Sequence, residues 1–259
     1  MNSFPPSQPN GSPLPESSPP ANTIQIRYQV PVKKPWITYS ILAVTVLIFI
    51  LQQMSTFIYG FDYPAILGMK VNQFILEGEY WRLITPMFLH GSVLHIVFNM
   101  YALLAFGAGL ERHYGHSRFL ALYFLGGLGG NIASFLLSEK PSLGASTAIF
   151  GLVAAEGVFI YRNRHLFGQR YRTAISNIIM IVGVNLLMGL SPGIDNWGHL
   201  GGLLGGLAFS WFAGPVLVLR GLFPDLSLQD EQNIPSRTRQ VFLVELLILI
   251  GLGILPFLR

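Results

Sequence analysis

The sequence predicts an all-α fold: a polytopic bundle of transmembrane helices with a six-span core and a seventh span at the carboxyl end. Three observations carry this expectation. Of the 259 residues, 51% are hydrophobic before the 28 glycines are counted, only 11% are charged, and the mean hydropathy is +0.51. A soluble domain holds roughly 25% charged residues. Apolar segments of crossing length, about 20 residues each, recur from Trp36 onward. Finally, the basic residues separate between alternate connections. Arg27, Lys33, Lys34, Arg112, Arg118, Arg162, Arg164, Arg170, Arg172, Arg220, Arg237 and Arg239 fall on one side, and Lys70, Arg82, Lys140 and Arg259 on the other. That bias predicts an integral membrane protein, of the cell membrane, with a cytoplasmic amino terminus and an external carboxyl terminus.

The elements follow in order. Residues 1–35 open with seven prolines and five serines in twenty positions and read as a disordered cytoplasmic tail. They lack the basic-then-apolar pattern of a secretory signal, so the first apolar segment is expected to remain as an anchor. The segments are 36–60, 93–110, 117–137, 145–161, 173–190, 199–219 and 240–258, the last carrying Glu245 and Pro256. Residues 36–220 form the predicted core, 221–239 a cytoplasmic linker and 240–259 the seventh span. The connection 61–92 is long and only half polar, which predicts a structured loop in the outer interface, with Trp81 at headgroup level and Arg82 holding carbonyls or neighbouring side chains.

Composition also excludes functions. With no cysteine there is no disulfide framework, thiol nucleophile or thiolate metal site. The net charge of +4 is spread singly and in pairs, with no basic run interleaved with aromatics, which argues against nucleic-acid binding.

Polar residues inside lipid are costly and mark function. The second span (HGSVLHIVFN) places His95 and Asn99 four apart on one helix face, the fourth (GASTAIFG) begins with Ser146, and the sixth (GHLGGLLGG) begins with His199. Counted back from the arginine that ends each span, at ~1.5 Å per residue, Ser146 lies ~24 Å, His199 ~31 Å, His95 ~25 Å and Asn99 ~20 Å from the cytoplasmic side. All four therefore belong to the outer half of the bilayer. Gly198, Gly202 and Gly206 on the sixth span, and Thr147, Gly151 and Ala155 on the fourth, repeat every four residues, so the two helices can pack closely and bring Ser146 to His199. Acyl transfer would then need only oxyanion donors: the free N–H of Ser146 at its helix start and the side chains of His95 and Asn99.

These motifs, with Trp81-Arg82 and Glu111-Arg112, resemble the rhomboid intramembrane serine proteases over residues 65–215. The resemblance implies Ser146 as nucleophile and His199 as general base, a dyad without a carboxylate. It implies His95, Asn99 and the Ser146 amide as the oxyanion hole, Gly144 as the small residue admitting substrate, and Gly202 as the close contact between the sixth and fourth helices. Arg82 and Glu111 correspond to structural positions, and Phe150 stands where some members place a tyrosine under the histidine. Transmembrane proteins are the implied substrates, entering past the fifth span with Asn185 and the loop over residues 185–198; the bilayer is the medium, and no metal or cofactor is required.

Other readings stay open. A noncatalytic relative would bind transmembrane helices without cutting them, and a seven-span receptor or transporter would share only the span count. A metal site from His90, His95 and His199 is disfavoured, since His90 lies ~140° around the helix from His95. Asp195 reads as a solvated loop carboxylate, and Glu156 has no assigned role beyond pairing near Arg162.

Overall fold

The structure, a computed structural model, describes residues 34–222 and 226–258. The expected tail as far as residue 33, with Arg27 and Lys33, and the terminal Arg259 lie outside the described residues.

Helix α1 (Trp36–Tyr59) stops at Gly60, whose positive φ of 79° lets its N–H return to the Thr56 carbonyl. Pro35 offers no cap at the other end, and another helix supplies one. Glu111, fully buried, accepts from the amides of Ile37 (2.9 Å) and Thr38 (2.7 Å) and from the Thr38 hydroxyl (2.7 Å). An anion at the amide end of a helix is favourable both as acceptor and against the dipole.

The connection to the second span is built of two short helices, α2 (Tyr63–Gly68) and α3 (Asn72–Leu76), and two 3₁₀ turns, Tyr80–Leu83 and Thr85–Phe88. Arg82 gathers it, donating to the carbonyls of Ile66 and Met69, both at 2.9 Å, and to Glu79 at 2.6 Å. Helix α4 (Val93–Ala102), capped by Ser92, runs through a π-helical turn (Leu103–Gly107) into α5 (Ala108–Tyr114). Next come α6 (His116–Leu137), α7 (Ser146–Arg162), the short α8 (Arg164–Phe167), α9 (Tyr171–Met188), α10 (Asn196–Ala213) and α11 (Pro235–Ile254).

Five of these stretches are long and apolar enough to cross a membrane: Trp36–Tyr59, Val93–Tyr114, His116–Leu137, Arg164–Met188 and Pro235–Leu258. Large apolar side chains cover their outer faces, among them Phe57, Leu187 and Leu247. The remaining two long helices, α7 and α10, are shorter and pack with α6 at the centre. Twelve of the 17 residues of α7 are buried. Glycines make this possible: a Cβ on Gly202 or Gly206 of α10 would fall within the backbone of Thr147 or Gly151 of α7, and one on Gly201 would meet the Gly129 carbonyl of α6 at 2.6 Å.

Two departures from the sequence reading concern the carboxyl end. The apolar run 199–219 is not one helix: Gly214 and Pro215 end α10, and the chain turns into a hairpin of β1 (Leu217–Arg220) and β2 (Ser227–Asp230). Proline lacks the N–H that would continue the helix. The last helix begins at Pro235, five residues before its apolar run, with proline in the first turn where its missing donor is harmless.

Candidate active site

The loop between α6 and α7 leads into the candidate nucleophile, Ser146, the first residue of α7, and the interhelical connection 61–92 holds that loop from three directions. Lys70 and Ser142 exchange backbone hydrogen bonds (2.9 and 3.1 Å), and the Gly144 amide donates to the Pro86 carbonyl at 2.9 Å. The buried ammonium of Lys70 donates to the carbonyls of Ser138 (2.7 Å) and Lys140 (2.9 Å), beside the carbonyl end of α6. A cation there satisfies orphan acceptors and complements the dipole. Burial nonetheless lowers the Lys70 pKa from 10.5 to about 8, against the pull of Asp195 and Glu139.

Gly144 has a φ of +136°, a conformation that favours glycine. The position is closed sterically as well: Nε2 and Cε1 of His95 lie 2.8 Å from where a Cβ would stand, and Ser146 Oγ lies 3.6 Å from it. His95 and Ser146 therefore flank one glycine. Helix α7 has no side-chain cap, and its first amide with a backbone acceptor is Ile149, which donates to Ala145. Among the described residues, the N–H groups of Ser146, Thr147 and Ala148 have no acceptor, leaving the positive end of the helix open beside the serine hydroxyl.

From α10, His199 reaches this point. Its Nε2 lies 3.0 Å from Ser146 Oγ, and its ring stacks on Phe150 at 4.3 Å between centroids and 11° between planes. Phe150 comes from the same helix as the serine, one turn on, so a single helix supplies the hydroxyl and the surface that orients its partner. His199 Nδ1 has no partner among the described residues. Asp195, read from sequence as a solvated carboxylate, is instead the cap of α10: its Oδ1 accepts from the Gly198 amide at 2.9 Å. It therefore does not hold the His199 ring.

Asn99 is buried on α4, where its amide donates to the His95 carbonyl at 2.9 Å, spending one N–H within its own helix and keeping the second. No hydrogen bond joins it to Ser146 among the described residues. Arg82 and Glu111 lie away from the serine, in the connection and at the opposite end of the second span. Gly202 sits one turn from His199, against Thr147.

Face arithmetic separates His90 from His95, yet their rings meet edge to face at 5.0 Å. His90 precedes α4 instead of belonging to it, so helical spacing does not apply. Its backbone is pinned by Gln52 in both directions, and its Nε2 lies 3.4 Å from the Ala145 amide. Burial, helped by His95, pushes its pKa down to about 3, which keeps the ring neutral.

Helix content and apolar surface together define a multi-pass integral membrane protein of helical type. The Rhomboid domain description matches residues 77–216, and the chain belongs to the rhomboid family. It is 42% identical over 174 residues to the Rhomboid protease GluP of Bacillus subtilis (strain 168), covering 67% of this chain and 34% of that protein. In Arabidopsis thaliana, RHOMBOID-like protein 9, chloroplastic, is 38% identical over 157 residues (60% of this chain, 36% of that one), and RHOMBOID-like protein 5 is 40% identical over 157 residues (60% and 49%). The chain thus spans a third to a half of the length of these relatives.

Proposed function

We propose that the protein is an intramembrane serine endopeptidase that cuts transmembrane substrates toward the outer leaflet. In this reading residues 36–220 form the catalytic core, α7 and α10 count as crossings beside the five longer helices, and the amino terminus faces the cytoplasm. The observation that supports it most directly is the 3.0 Å approach of Ser146 Oγ to His199 Nε2, with the ring held on Phe150.

Chemistry follows from that contact. Ser146 attacks the scissile carbonyl as its proton passes to His199 Nε2; the ring hydrogen then resides on Nδ1. Negative charge develops on the carbonyl oxygen beside the unbonded amides at the start of α7, with His95 and the second N–H of Asn99 as side-chain donors. The imidazolium returns its proton to the leaving amine, and water, activated by the same nitrogen, releases the acyl group. A substrate helix must unwind to reach the serine, which favours small or helix-breaking residues near the cut.

The test is labelling of the purified full chain, in detergent or liposomes, with a fluorophosphonate probe. Labelling should require both Ser146 and His199, and Ser146→Ala and His199→Ala should each abolish cleavage of a transmembrane substrate while the helical bundle persists. A folded wild type that neither labels nor cleaves supports instead a protein that binds transmembrane helices without cutting them.

A further inference from the structure

At the end of the bundle remote from Ser146, a cavity of about 370 Å³ lies between the α5–α6 junction and the β1–β2 hairpin. Its polar wall is cationic. Arg118, 6% exposed, donates to the carbonyls of Tyr114 (2.7 Å) and Ala213 (3.3 Å) and to Asp230 (2.6 Å). Those bonds use three of its five N–H groups. Asp230, the acid on this wall, is neutralised by Arg118 and also accepts from the Val216 and Gln232 amides. Arg112, exposed on the same wall, has no acidic partner among the described residues, and Asn233 and Gln229, the latter donating one amide N–H to the Ser227 hydroxyl at 3.3 Å, complete the polar lining. Leu217 and Leu228 form the apolar side.

The surroundings have the same sign. Arg162, Arg164, Arg170, Arg172, Arg220, Arg237 and Arg239 all belong to this end of the helices, and Glu231 is taken by Arg220 at 2.7 Å. A pocket with spare guanidinium donors, its one carboxylate already paired, selects an anion, and planar N–H forks match phosphate oxygens. Size narrows the choice. The cavity has room for about a dozen waters, so an inorganic phosphate would leave most of it empty, whereas a phosphate carrying a small polar headgroup would fill it.

We propose that this cavity is a binding site for a phosphoryl anion, formed by Arg112 and Arg118 with Asn233 and Gln229. The site is independent of the catalytic reading. A lipid headgroup and a soluble phosphate share the chemistry, and the experiment separates them. The full chain is placed in phosphatidylcholine nanodiscs, and its thermal unfolding is followed while either phosphatidylglycerol or inorganic phosphate is titrated in.

Phosphatidylglycerol should raise the midpoint at low mole fraction, and Arg112→Gln should weaken the apparent affinity about tenfold or more, as expected for one lost charge-assisted bond. Asn233→Leu, which keeps the charge, should weaken it too. Arg172→Gln, an equal charge change on the same end outside the cavity, should leave it unchanged. An Arg112-dependent shift with inorganic phosphate alone assigns the site to a soluble ligand. Overturning results are the absence of any shift with either anion, or equal losses in Arg112→Gln and Arg172→Gln, which would reduce the effect to general surface charge.

Discussion

Replacing Gly202 by alanine adds one carbon where the structure leaves no room for it. The new Cβ would lie inside van der Waals contact of the Thr147 carbonyl oxygen, with Thr147 C and Cα behind it. All three are backbone atoms, so no side-chain rotation relieves the clash, and α10 must move away from α7 by on the order of 1 Å. Thr147 is the neighbour of Ser146, and Gly202 is one turn from His199, so the displacement falls directly on the 3.0 Å contact between them. Lengthened to about 4 Å, that contact is no longer a hydrogen bond. A 1 Å misplacement of reacting groups costs about 10²-fold in rate, and overpacking costs about 1–3 kcal/mol in stability. The assay is the rate of fluorophosphonate labelling at Ser146, with thermal unfolding of the same sample. Gly251→Ala serves as the control, because nothing lies within 4 Å of the added carbon. Wild-type labelling by a folded Gly202→Ala protein, or an equal loss in Gly251→Ala, would refute the reasoning.

Asn99→Ala removes the proposed oxyanion donor and should lower turnover about 10²-fold with substrate binding little changed, as read from kcat and KM separately. Glu111→Ala leaves the Ile37 and Thr38 amides without their acceptor in a buried place and should destabilise the protein by about 3 kcal/mol or more, seen as a lowered unfolding midpoint. Glu111→Gln should recover only part of that loss. Lys70 gives a pH dependence. With its pKa lowered to about 8, the folded state binds fewer protons than the unfolded state between that value and 10.5. The penalty for burying the ammonium is full below pH 8 and is relieved as pH rises through that window, by at most about 3 kcal/mol. Wild-type stability should therefore rise relative to Lys70→Met between pH 8 and 10.5, and parallel curves would exclude the effect.

The parts of this molecule legible in the sequence are those governed by helical period and by lipid. Ser146, His199 and the spacing of Gly198, Gly202 and Gly206 lie on regular helices, so their faces follow from the sequence; the depth counted for His199 from Arg220 does not, because α10 ends at Ala213 and Arg220 stands on β1. Elements that break the period escaped. Leu217–Arg220 is as apolar as the helix before it, and only Pro215 signals the hairpin. His90 sits just before a helix, where face arithmetic has no meaning. Lys70 looks like any loop lysine, since its role depends on the Ser138 and Lys140 carbonyls nearly 70 residues later. Asp195 follows a Pro-Gly turn and reads as solvated, although an acid three residues before Gly198 is also a capping signal.

The enclosure of α7 bears on how the site responds to its membrane. A straight helix of 17 residues is about 26 Å long, shorter than the roughly 30 Å hydrocarbon layer. A lipid-facing helix of that length would thin the bilayer around it or tilt its neighbours. Helix α7 is encased by protein, so hydrophobic mismatch is felt at α1, α9 and α11, whose outer faces carry the large apolar side chains. The depth of Ser146 is set by the glycine contacts with α10 and by the Lys70 and Pro86 bonds that hold its loop, and it stays fixed within the protein frame as acyl-chain length changes.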